Sequence, residues 1–250
     1  MLAELLELAP AGLEEVDGDG FVEFALYSAA GELPELPRGS AEVAGIQVEV
    51  TGSEVGDDWA ERWRQFHEPA QIGHVHVRAP WHDPPSGGID IVIDPGQAFG
   101  TGAHPTTRLC LELLLDLPPR GALADLGCGS GVLAIAAAKL GFGPVSAVDN
   151  EQAAVDATVA NARANGVSIE RAERYDLRSG PAPVERVTVA NLVRPLLLRV
   201  AELLPEQPET LIVSGLLEGE EDEVAAAFAP LRERRRLRLQ GWSALLLTRP

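Results

Sequence analysis

The stretch Asp125-Leu-Gly-Cys-Gly-Ser-Gly131 decides the fold of this chain. It follows an apolar run, Ala122–Leu126, and precedes the alanine-rich stretch Val132–Leu140, so it predicts a turn between a strand and a helix. In an open parallel sheet such a turn lies beyond the carboxyl end of a strand, where ligands bind near the point at which the strand order reverses. The glycines allow a tight turn and let a ligand approach the backbone closely. We therefore expect a binding site here.

The sequence around this turn alternates between apolar runs and helical stretches from about residue 105 onward. The apolar runs predict strands at Ala122–Leu126, Val145–Val148, Val187–Ala190, Leu211–Ser214 and Ala244–Leu247. Helices are predicted between them, at Val132–Leu140, Gln152–Asn165, Leu196–Leu204 and Glu220–Phe228. Two strands at about 234–239 and 242–248 meet at Gln240-Gly241 and predict an antiparallel hairpin. This alternation predicts an α/β, Rossmann-like fold with a mostly parallel sheet covered on both faces.

The spacing of the glycines separates two classes of cofactor. A dinucleotide fingerprint needs a third glycine at the sixth position, which is Val132 when counted from Gly127. Here the pattern is G-x-G-x-G, formed by Gly127, Gly129 and Gly131, and Asp125 stands two places before it. A pyrophosphate would be repelled by this carboxylate, whereas an ammonium group would be attracted. S-adenosylmethionine carries an amino acid tail and a sulfonium but no phosphate, so the pattern favours it over NAD.

A second acidic signal is Asp149, which follows the predicted strand Val145–Val148 and stands 18 residues after Gly131. A carboxylate at this position can accept hydrogen bonds from both hydroxyls of a ribose. Dinucleotide enzymes use the same device, so Asp149 indicates a ribose without naming the ligand. The alternative interpretation is a helix N-cap, and the two roles are compatible. Cys128 has no obvious base nearby and is interpreted as a small loop residue rather than a nucleophile.

The overall composition excludes several classes of protein. The chain carries 20 Lys and Arg against 38 Asp and Glu, a formal net charge of −18, which disfavours direct binding of nucleic acid and suits a basic protein partner. The alternative is that the acidity only favours solubility. We find no uninterrupted apolar run that could span a membrane, no basic leader at the N-terminus and only two cysteines, so we expect a soluble, cytoplasmic protein, with a monomer as the default.

The N-terminal third differs from the regular region that follows it. Residues 1–52 predict a small α+β domain with a helix at Leu2–Leu8 and strands at Phe21–Tyr27 and Ile46–Val50. Residues 53–70 predict a linker helix on which three aromatic residues share one face, Trp59, Trp63 and Phe66. We interpret that face as a docking surface for neighbouring parts of the chain, with an aromatic ligand platform as the alternative. Residues 71–250 would form the cofactor-binding domain, beginning with strands at Val75–Ala79 and Ile89–Ile93.

Three segments resemble one family closely. The first is Ile93-Asp-Pro-Gly-Gln-Ala-Phe-Gly-Thr-Gly-Ala-His-Pro-Thr-Thr-Arg108, and the others are Val189-Ala-Asn-Leu192 and Val213-Ser-Gly-Leu-Leu217. They are similar to the bacterial methyltransferases that modify ribosomal protein L11, the PrmA family. The resemblance covers about residues 54–250 well and the N-terminal part more loosely.

The resemblance implies a class I methyltransferase fold that uses S-adenosylmethionine to methylate lysine or N-terminal amines of ribosomal protein L11. It also implies a small ferredoxin-like N-terminal domain that recruits the substrate. Family sequences begin with a strand, whereas here Met1 leads into the predicted helix, so we expect either a start further upstream or a small sheet without one edge strand. Two alternatives stay open: a methyltransferase of another protein's lysines or of a small molecule, and a catalytically silent cofactor-binding module.

The resemblance also implies which residues contact the cofactor. Positions that bind S-adenosylmethionine in the family are matched by Thr107, Gly127, Asp149 and Asn191. The loop that closes over its methionine end is matched by Phe99, Gly100 and Thr101. Core packing is the alternative for Phe99. For His104, in the same loop, stabilisation of the loop is the alternative to a catalytic role.

Asn191 is the candidate catalytic residue. It follows the predicted strand Val187–Ala190 at the edge where the cofactor loop lies. Methyl transfer to an amine requires a neutral nitrogen whose lone pair points at the methyl group, and hydrogen-bond acceptors at a strand end can fix that direction. Asn191 cannot itself take the proton that the amine must lose, and the sequence names no base. The alternative is a purely structural Asn at the end of a strand.

Overall fold

The computed structural model describes residues 13–17, 22–26, 39–43, 46–50, 68–94 and 102–250. The chain divides into two compact units, Met1–Phe66 and His67–Pro250. The boundary between them falls inside the predicted linker helix of residues 53–70. Most of that helix, its three aromatic residues and the predicted helix Leu2–Leu8 lie outside the described residues, whereas its last predicted residue, Ala70, begins a strand. The division into three parts therefore stays a prediction.

The first unit contains two antiparallel strand pairs. Strand β1 (Leu13–Asp17) pairs with β2 (Val22–Leu26), and β3 (Gly39–Val43) pairs with β4 (Ile46–Val50). Strands β2 and β4 confirm the predicted strands to within one residue at each end. Strands β1 and β3 were not predicted, because their sequences LEEVD and GSAEV offer few apolar residues for an alternating pattern.

The second unit begins with a three-stranded sheet. Strand β5 (Ala70–Ile72) runs antiparallel to β6 (Val75–Arg78), which pairs in parallel with β7 (Ile89–Val92). Strands β6 and β7 were predicted, and β5 is too short to show a pattern. Helix α1 (Pro105–Leu115) follows, and it leads into the large sheet.

The large sheet has seven strands in the order β10-β9-β8-β11-β12-β14-β13. The first five strands in this order are parallel to one another. Strand β14 pairs antiparallel with both β12 and β13. The strands are β8 (Leu123–Leu126), β9 (Val145–Asp149), β10 (Arg171–Arg174), β11 (Val187–Asn191), β12 (Thr210–Leu217), β13 (Arg232–Leu239) and β14 (Trp242–Thr248). The chain leaves β8 for β9 and β10 on one side and returns to β11 on the other. The order therefore reverses between β8 and β11, and β10 and β13 form the edges.

Helices cover both faces of this sheet, as predicted. They are α2 (Val132–Leu140), α3 (Gln152–Ala164), α4 (Arg194–Leu203) and α5 (Glu221–Ala227). One hydrophobic core contains residues of α1, α2 and the three-stranded sheet, and a second contains residues of α4 and α5. Strand β8 alternates between them, since Leu123 lies in the first core while Ala124 and Leu126 lie in the second.

The predicted C-terminal hairpin is confirmed at its turn. Gln240 and Gly241 have φ angles of 51° and 79°, and positive φ at both central residues is what a two-residue type I′ turn requires.

In the part of the chain that the structure describes, no helix is long and apolar enough to cross a membrane.

Helix α1 corrects one interpretation of the sequence. The segment from Ile93 to Arg108 resembles a loop of the family, but helix α1 begins within it, at Pro105, with His104 as its N-cap. Proline at the first helical position is favoured because its fixed φ suits a helix start. The helix was missed because it is buried on most sides, at Leu109, Cys110, Leu111, Leu113 and Leu114, so its sequence has no clear polar face.

Candidate active site

The glycine loop between β8 and α2 has the conformation that its sequence predicts. Gly127, Gly129 and Gly131 all have positive φ, at 76°, 52° and 82°. The N–H groups of Gly127 and Cys128 both donate to the carbonyl of Val148, at 2.8 and 3.0 Å, which ties the loop to the end of β9. Side chains other than glycine rarely adopt such angles, so the loop is built for glycine.

Gly127 is further restricted by its surroundings. A Cβ added there would lie 2.3 Å from Cδ2 of Leu192, which follows Asn191 after β11. Gly215 on β12 plays a similar part, because its added Cβ would lie 2.3 Å from the carbonyl oxygen of Leu192. The N–H of Leu192 donates to the carbonyl of Ser214 at 3.0 Å. Two glycines and one backbone hydrogen bond therefore fix the short segment that follows β11.

Asp125 lies beneath the glycine loop as a buried carboxyl group with spare capacity. It is 1% exposed, and its Oδ2 accepts from the N–H of Ala134 at 3.1 Å. Its Oδ1 is also buried and has no hydrogen-bond partner within the described residues. Burial raises the pKa of Asp125 to about 7; the N–H of Ala134 opposes that rise and the charge of Asp149 adds to it. Such a group favours a cation or a hydrogen-bond donor beside it.

Asp149 ends β9 and holds the glycine loop directly. Its Oδ2 accepts from the N–H of Gly129 at 2.9 Å, and its Oδ1 accepts from the N–H of Glu151 at 3.1 Å. Helix α3 begins at Gln152 with Glu151 as its N-cap residue, so Asp149 is not the helix cap that the sequence allowed as an alternative. Each carboxylate oxygen has a further lone pair. The half-buried side chain can therefore accept hydroxyl groups while it keeps its bonds to the loop.

The first turn of α1 contributes Thr107. This side chain is 1% exposed, and its Oγ1 has no hydrogen-bond partner among the residues that the structure describes. A buried hydroxyl group without a partner is costly, and in native structures it commonly marks a place that a ligand or water satisfies.

His104 is better explained as a structural residue than as a base. Its Nδ1 accepts from the N–H of Thr106 at 3.3 Å and lies 2.8 Å from the Thr106 hydroxyl oxygen. A neutral imidazole that accepts at Nδ1 carries its proton on Nε2, so Nε2 has no lone pair to offer. Burial lowers the pKa of His104, which favours this neutral form. The ring also meets Trp242 edge to face, with centroids 5.1 Å apart.

Cys128 is not a nucleophile in this arrangement. Burial raises the pKa of its thiol to about 12, and the negative charge of Asp125 adds to the rise. The thiolate that a nucleophile requires is therefore suppressed. This agrees with the interpretation of Cys128 as a small residue of the loop.

The predicted residues at strand ends within the described regions come together at the carboxyl end of the central strands of the large sheet. Asp149 and Asn191 end β9 and β11, and the glycine loop with Asp125 lies between them at the end of β8. This is the point at which the strand order reverses, where open α/β sheets bind ligands. Phe99, Gly100 and Thr101 lie outside the described residues, so their roles stay predictions.

Sequence reasoning missed three polar residues on one face of α3 and its C-terminal cap: Thr158 and Asn161, which contact the glycine loop, and Asn165, which contacts β7. The hydroxyl oxygen of Thr158 lies 3.0 Å from the carbonyl of Gly129, and Nδ2 of Asn161 donates to the carbonyl of Ser130 at 2.9 Å. Their spacing of three and four residues places them on one helix face. Polar residues on the inward face of an otherwise alanine-rich helix were the available signal.

The chemistry at this end of the strands suits a cationic nucleoside ligand. A buried carboxyl group with a raised pKa favours an ammonium or sulfonium group, and the partly exposed Asp149 suits ribose hydroxyls. The orphaned oxygens of Asp125 and Thr107 are the observations that favour a ligand here.

Comparison with known proteins agrees with this geometry. A family model described as ribosomal protein L11 methyltransferase (PrmA) matches residues 29–250. The chain is 41% identical over 203 residues to a ribosomal protein L11 methyltransferase of Alkalilimnicola ehrlichii, with 76% of this chain and 67% of that protein aligned. It is 37% identical over 198 residues to one of Caldanaerobacter subterraneus, with 76% of this chain and 63% of that protein aligned. The chain thus spans about two thirds of the length of these relatives.

Solved structures show the same fold. A ribosomal protein L11 methylase of Lactobacillus delbrueckii superposes with a TM-score of 0.62 and 29% identity, covering 71% of this chain and 95% of that chain. A tRNA (uracil-54, C5)-methyltransferase of Pyrococcus abyssi in complex with S-adenosyl-L-homocysteine gives a TM-score of 0.54 at 17% identity, covering 73% of this chain and 44% of that chain. The latter likeness concerns the fold alone. The predicted class I methyltransferase fold is confirmed.

Proposed function

The chain belongs to the ribosomal protein L11 methyltransferase family, and from this membership we propose that it transfers methyl groups from S-adenosylmethionine to amino groups of ribosomal protein L11. The observation that carries the proposal is the pair of carboxyl groups at the glycine loop, Asp125 and Asp149. One is buried with an open acceptor and the other is partly exposed, and no phosphate-binding pattern accompanies them.

We assign the cofactor contacts residue by residue. Asp125 would attract the positively charged methionine end, and Asp149 would accept the ribose hydroxyls. Gly127, Gly129 and Gly131 would let the ligand approach the backbone. Further contacts would come from Thr107 and Asn191 and from the segment Phe99, Gly100 and Thr101. When bound, S-adenosylmethionine supplies a methyl group on a positively charged sulfur atom.

Asn191 would orient the substrate amine. Its side-chain oxygen and the carbonyl of Leu192 are acceptors at the end of β11, and Gly215 lets that segment lie close to β12. Acceptors of this kind can hold the N–H groups of an amine so that the nitrogen lone pair points towards the methyl group, and such positioning contributes much of the rate. We propose that His104 is not the base, because its Nδ1 already accepts the N–H of Thr106 and burial, which lowers its pKa, makes it a weaker proton acceptor. The proton would therefore pass to water.

The surface charge favours the proposed partner. A formal net charge of −18 attracts a basic ribosomal protein and opposes direct contact with nucleic acid. We further propose that residues 1–52 recruit the substrate, that residues 53–70 connect them to the catalytic domain of residues 71–250, and that the enzyme acts in the cytoplasm as a monomer.

The direct test is mass spectrometry of unmodified ribosomal protein L11 after incubation with the purified protein and S-adenosylmethionine. We expect mass gains in steps of one methylene group, mapped to lysine side chains or to the N-terminus. An Asn191→Ala variant that still binds cofactor should transfer far fewer methyl groups. If cofactor binding is verified in the same sample and the mass of L11 does not change, the substrate assignment is wrong and another protein or a small molecule becomes the leading candidate.

A further inference from the structure

Helix α3 carries a polar residue at the centre of its buried face. Asn161 is 4% exposed and lies between Thr158 and Asn165 on the same face. Both functional atoms of its amide are used, and both contact backbone rather than side chains. Nδ2 donates to the carbonyl of Ser130 at 2.9 Å, and Oδ1 accepts from the N–H of Asp94 at 3.0 Å.

These two contacts join different parts of the site. Ser130 belongs to the glycine loop, on which the proposed cofactor binding depends. Asp94 immediately precedes residues 95–101, the segment for which contacts to the methionine end of the cofactor are proposed. In sequence the two partners lie 31 and 67 residues from Asn161. A single amide therefore connects the glycine loop to Asp94, beyond the end of β7.

The backbone groups that Asn161 contacts belong to loop residues rather than to a helix or a sheet ladder. Ser130 is buried and Asp94 is exposed, so the carbonyl of Ser130 in particular depends on partners within the protein. An aliphatic side chain in place of Asn161 would remove the amide from both groups. The glycine loop and Asp94 would then no longer be joined through this side chain of α3.

We propose that Asn161 is a positioning residue that holds the glycine loop and Asp94, beyond the end of β7, in one arrangement competent for cofactor binding. It acts through these two backbone segments rather than by touching the ligand. The inference rests on the proposed use of S-adenosylmethionine, but it does not depend on which amine receives the methyl group. A binding measurement can therefore test it separately from methyl transfer.

Asn165 provides the matched control, one helical turn further along. Its Oδ1 accepts from the N–H of Val92 at 2.9 Å, and its Nδ2 donates to the carbonyls of Val92 at 2.6 Å and of Asn161 at 2.8 Å. It therefore contacts β7 and α3 but not the glycine loop. Its loss should destabilise the fold without disturbing the loop.

The experiment compares Asn161→Leu with Asn165→Leu in the full chain. The dissociation constant for S-adenosylhomocysteine is measured by calorimetry, the Tm by thermal unfolding, and the KM separately for S-adenosylmethionine and for L11. We expect Asn161→Leu to raise the dissociation constant and the cofactor KM by about tenfold, with the KM for L11 unchanged. Asn165→Leu should lower the Tm about as much as Asn161→Leu does. It should change the dissociation constant by less than about twofold.

A second variant covers the case in which Asn161→Leu does not fold. Asn161→Asp has nearly the same shape and keeps an acceptor for the N–H of Asp94, but it loses the donor to Ser130. It should therefore also weaken the binding of S-adenosylhomocysteine. Equal effects of the Asn161 and Asn165 variants on ligand affinity, at equal loss of Tm, would overturn the positioning role. A wild-type protein that does not bind S-adenosylhomocysteine would refute the proposed function and the inference with it, whereas binding without transfer to L11 would refute only the substrate.

Discussion

Two carboxyl groups in this protein are equally buried, and their surroundings shift their pKa values in opposite directions. Asp125 beneath the glycine loop and Glu221 at the start of α5 are each 1% exposed. Burial would raise the pKa of both, and for Asp125 it does so, to about 7. The pKa of Glu221 instead falls to about 2, because hydrogen bonds from the backbone, Arg238 and Ser243 outweigh its burial.

The difference lies in the number of donors that surround each group. Oε1 of Glu221 accepts from Nε of Arg238 at 2.7 Å and from the hydroxyl of Ser243 at 2.9 Å, while Oε2 accepts from the N–H of Gly219 at 2.6 Å. Asp125 has the N–H of Ala134 on one oxygen and, within the described residues, nothing on the other. Glu221 joins the ends of β12, β13 and β14, whereas Asp125 keeps an acceptor available. A fully paired carboxylate indicates a structural role, and an incompletely paired one indicates a ligand site.

The largest expected effect is the loss of stability on replacing Glu221. Glu221→Gln removes the charge and turns an NH2 group towards donors, so we expect the free energy of unfolding to fall by about 3 kcal/mol. Affinity for S-adenosylhomocysteine should stay within about twofold. Urea denaturation and calorimetry measure the two quantities. Glu223→Gln, in the same acidic run but on the surface beside Arg194, is the control and should lose far less stability. A large loss of ligand affinity in Glu221→Gln would remove the contrast with Asp125.

Asp125→Asn should give the opposite pattern. The amide oxygen can still accept from the N–H of Ala134, but the charge that would attract the cofactor is lost, so we expect about 1–3 kcal/mol weaker binding of S-adenosylmethionine. The ligand-free variant should be more stable than the wild type at pH 8, by about 1–3 kcal/mol, because a buried charge has been removed. Calorimetry and urea denaturation at that pH are the measurements. An unchanged affinity would mean that Asp125 does not face the cofactor.

The pH dependence of stability also separates the two groups. The pKa of Asp125 in the folded protein lies above the ordinary value of 3.8, so its contribution to stability is present below pH 3.8 and is lost as the pH rises to about 7. The pKa of Glu221 in the folded protein lies below the ordinary value of 4.5, so its contribution is present above pH 4.5 and is lost as the pH falls to about 2.

The same titration should couple to the ligand. At pH 7 about half of the Asp125 carboxyl groups hold a proton, and a cationic cofactor would lower their pKa and release it. Calorimetry in two buffers of different ionisation enthalpy should therefore detect up to about half a proton released per S-adenosylmethionine bound. Asp125→Asn should abolish the release, and Glu221→Gln should not. Release that persists in Asp125→Asn would assign the proton to another group.

Sequence reasoning placed Asp125, Asp149 and Asn191 at one site because the rule for parallel sheets carries that information: strands adjacent at a reversal bring their carboxyl ends together. It could not find the role of Glu221, which stands in a run of four acidic residues, Glu220–Glu223. Arg238 and Ser243, 17 and 22 residues further on, distinguish the buried acid from its neighbours. Asn161 was missed for the same reason, since both of its partners are distant in sequence. Strand β10 was missed because RAER has no apolar alternation.

The order of the large sheet has a consequence for its exposed edges. An edge strand offers unpaired backbone groups to any second strand, and natural sheets discourage this association with charged side chains. Here the edge strands β10 and β13 carry Arg171, Arg174, Arg232, Arg234, Arg235, Arg236 and Arg238, which are seven of the 20 basic residues in a strongly acidic chain. Several of these arginines are paired with carboxylates, as Arg236 is with Asp222 and Glu233, so a second copy approaching edge to edge would meet charged side chains on both edge strands. We expect this charge to discourage association of the sheet edges.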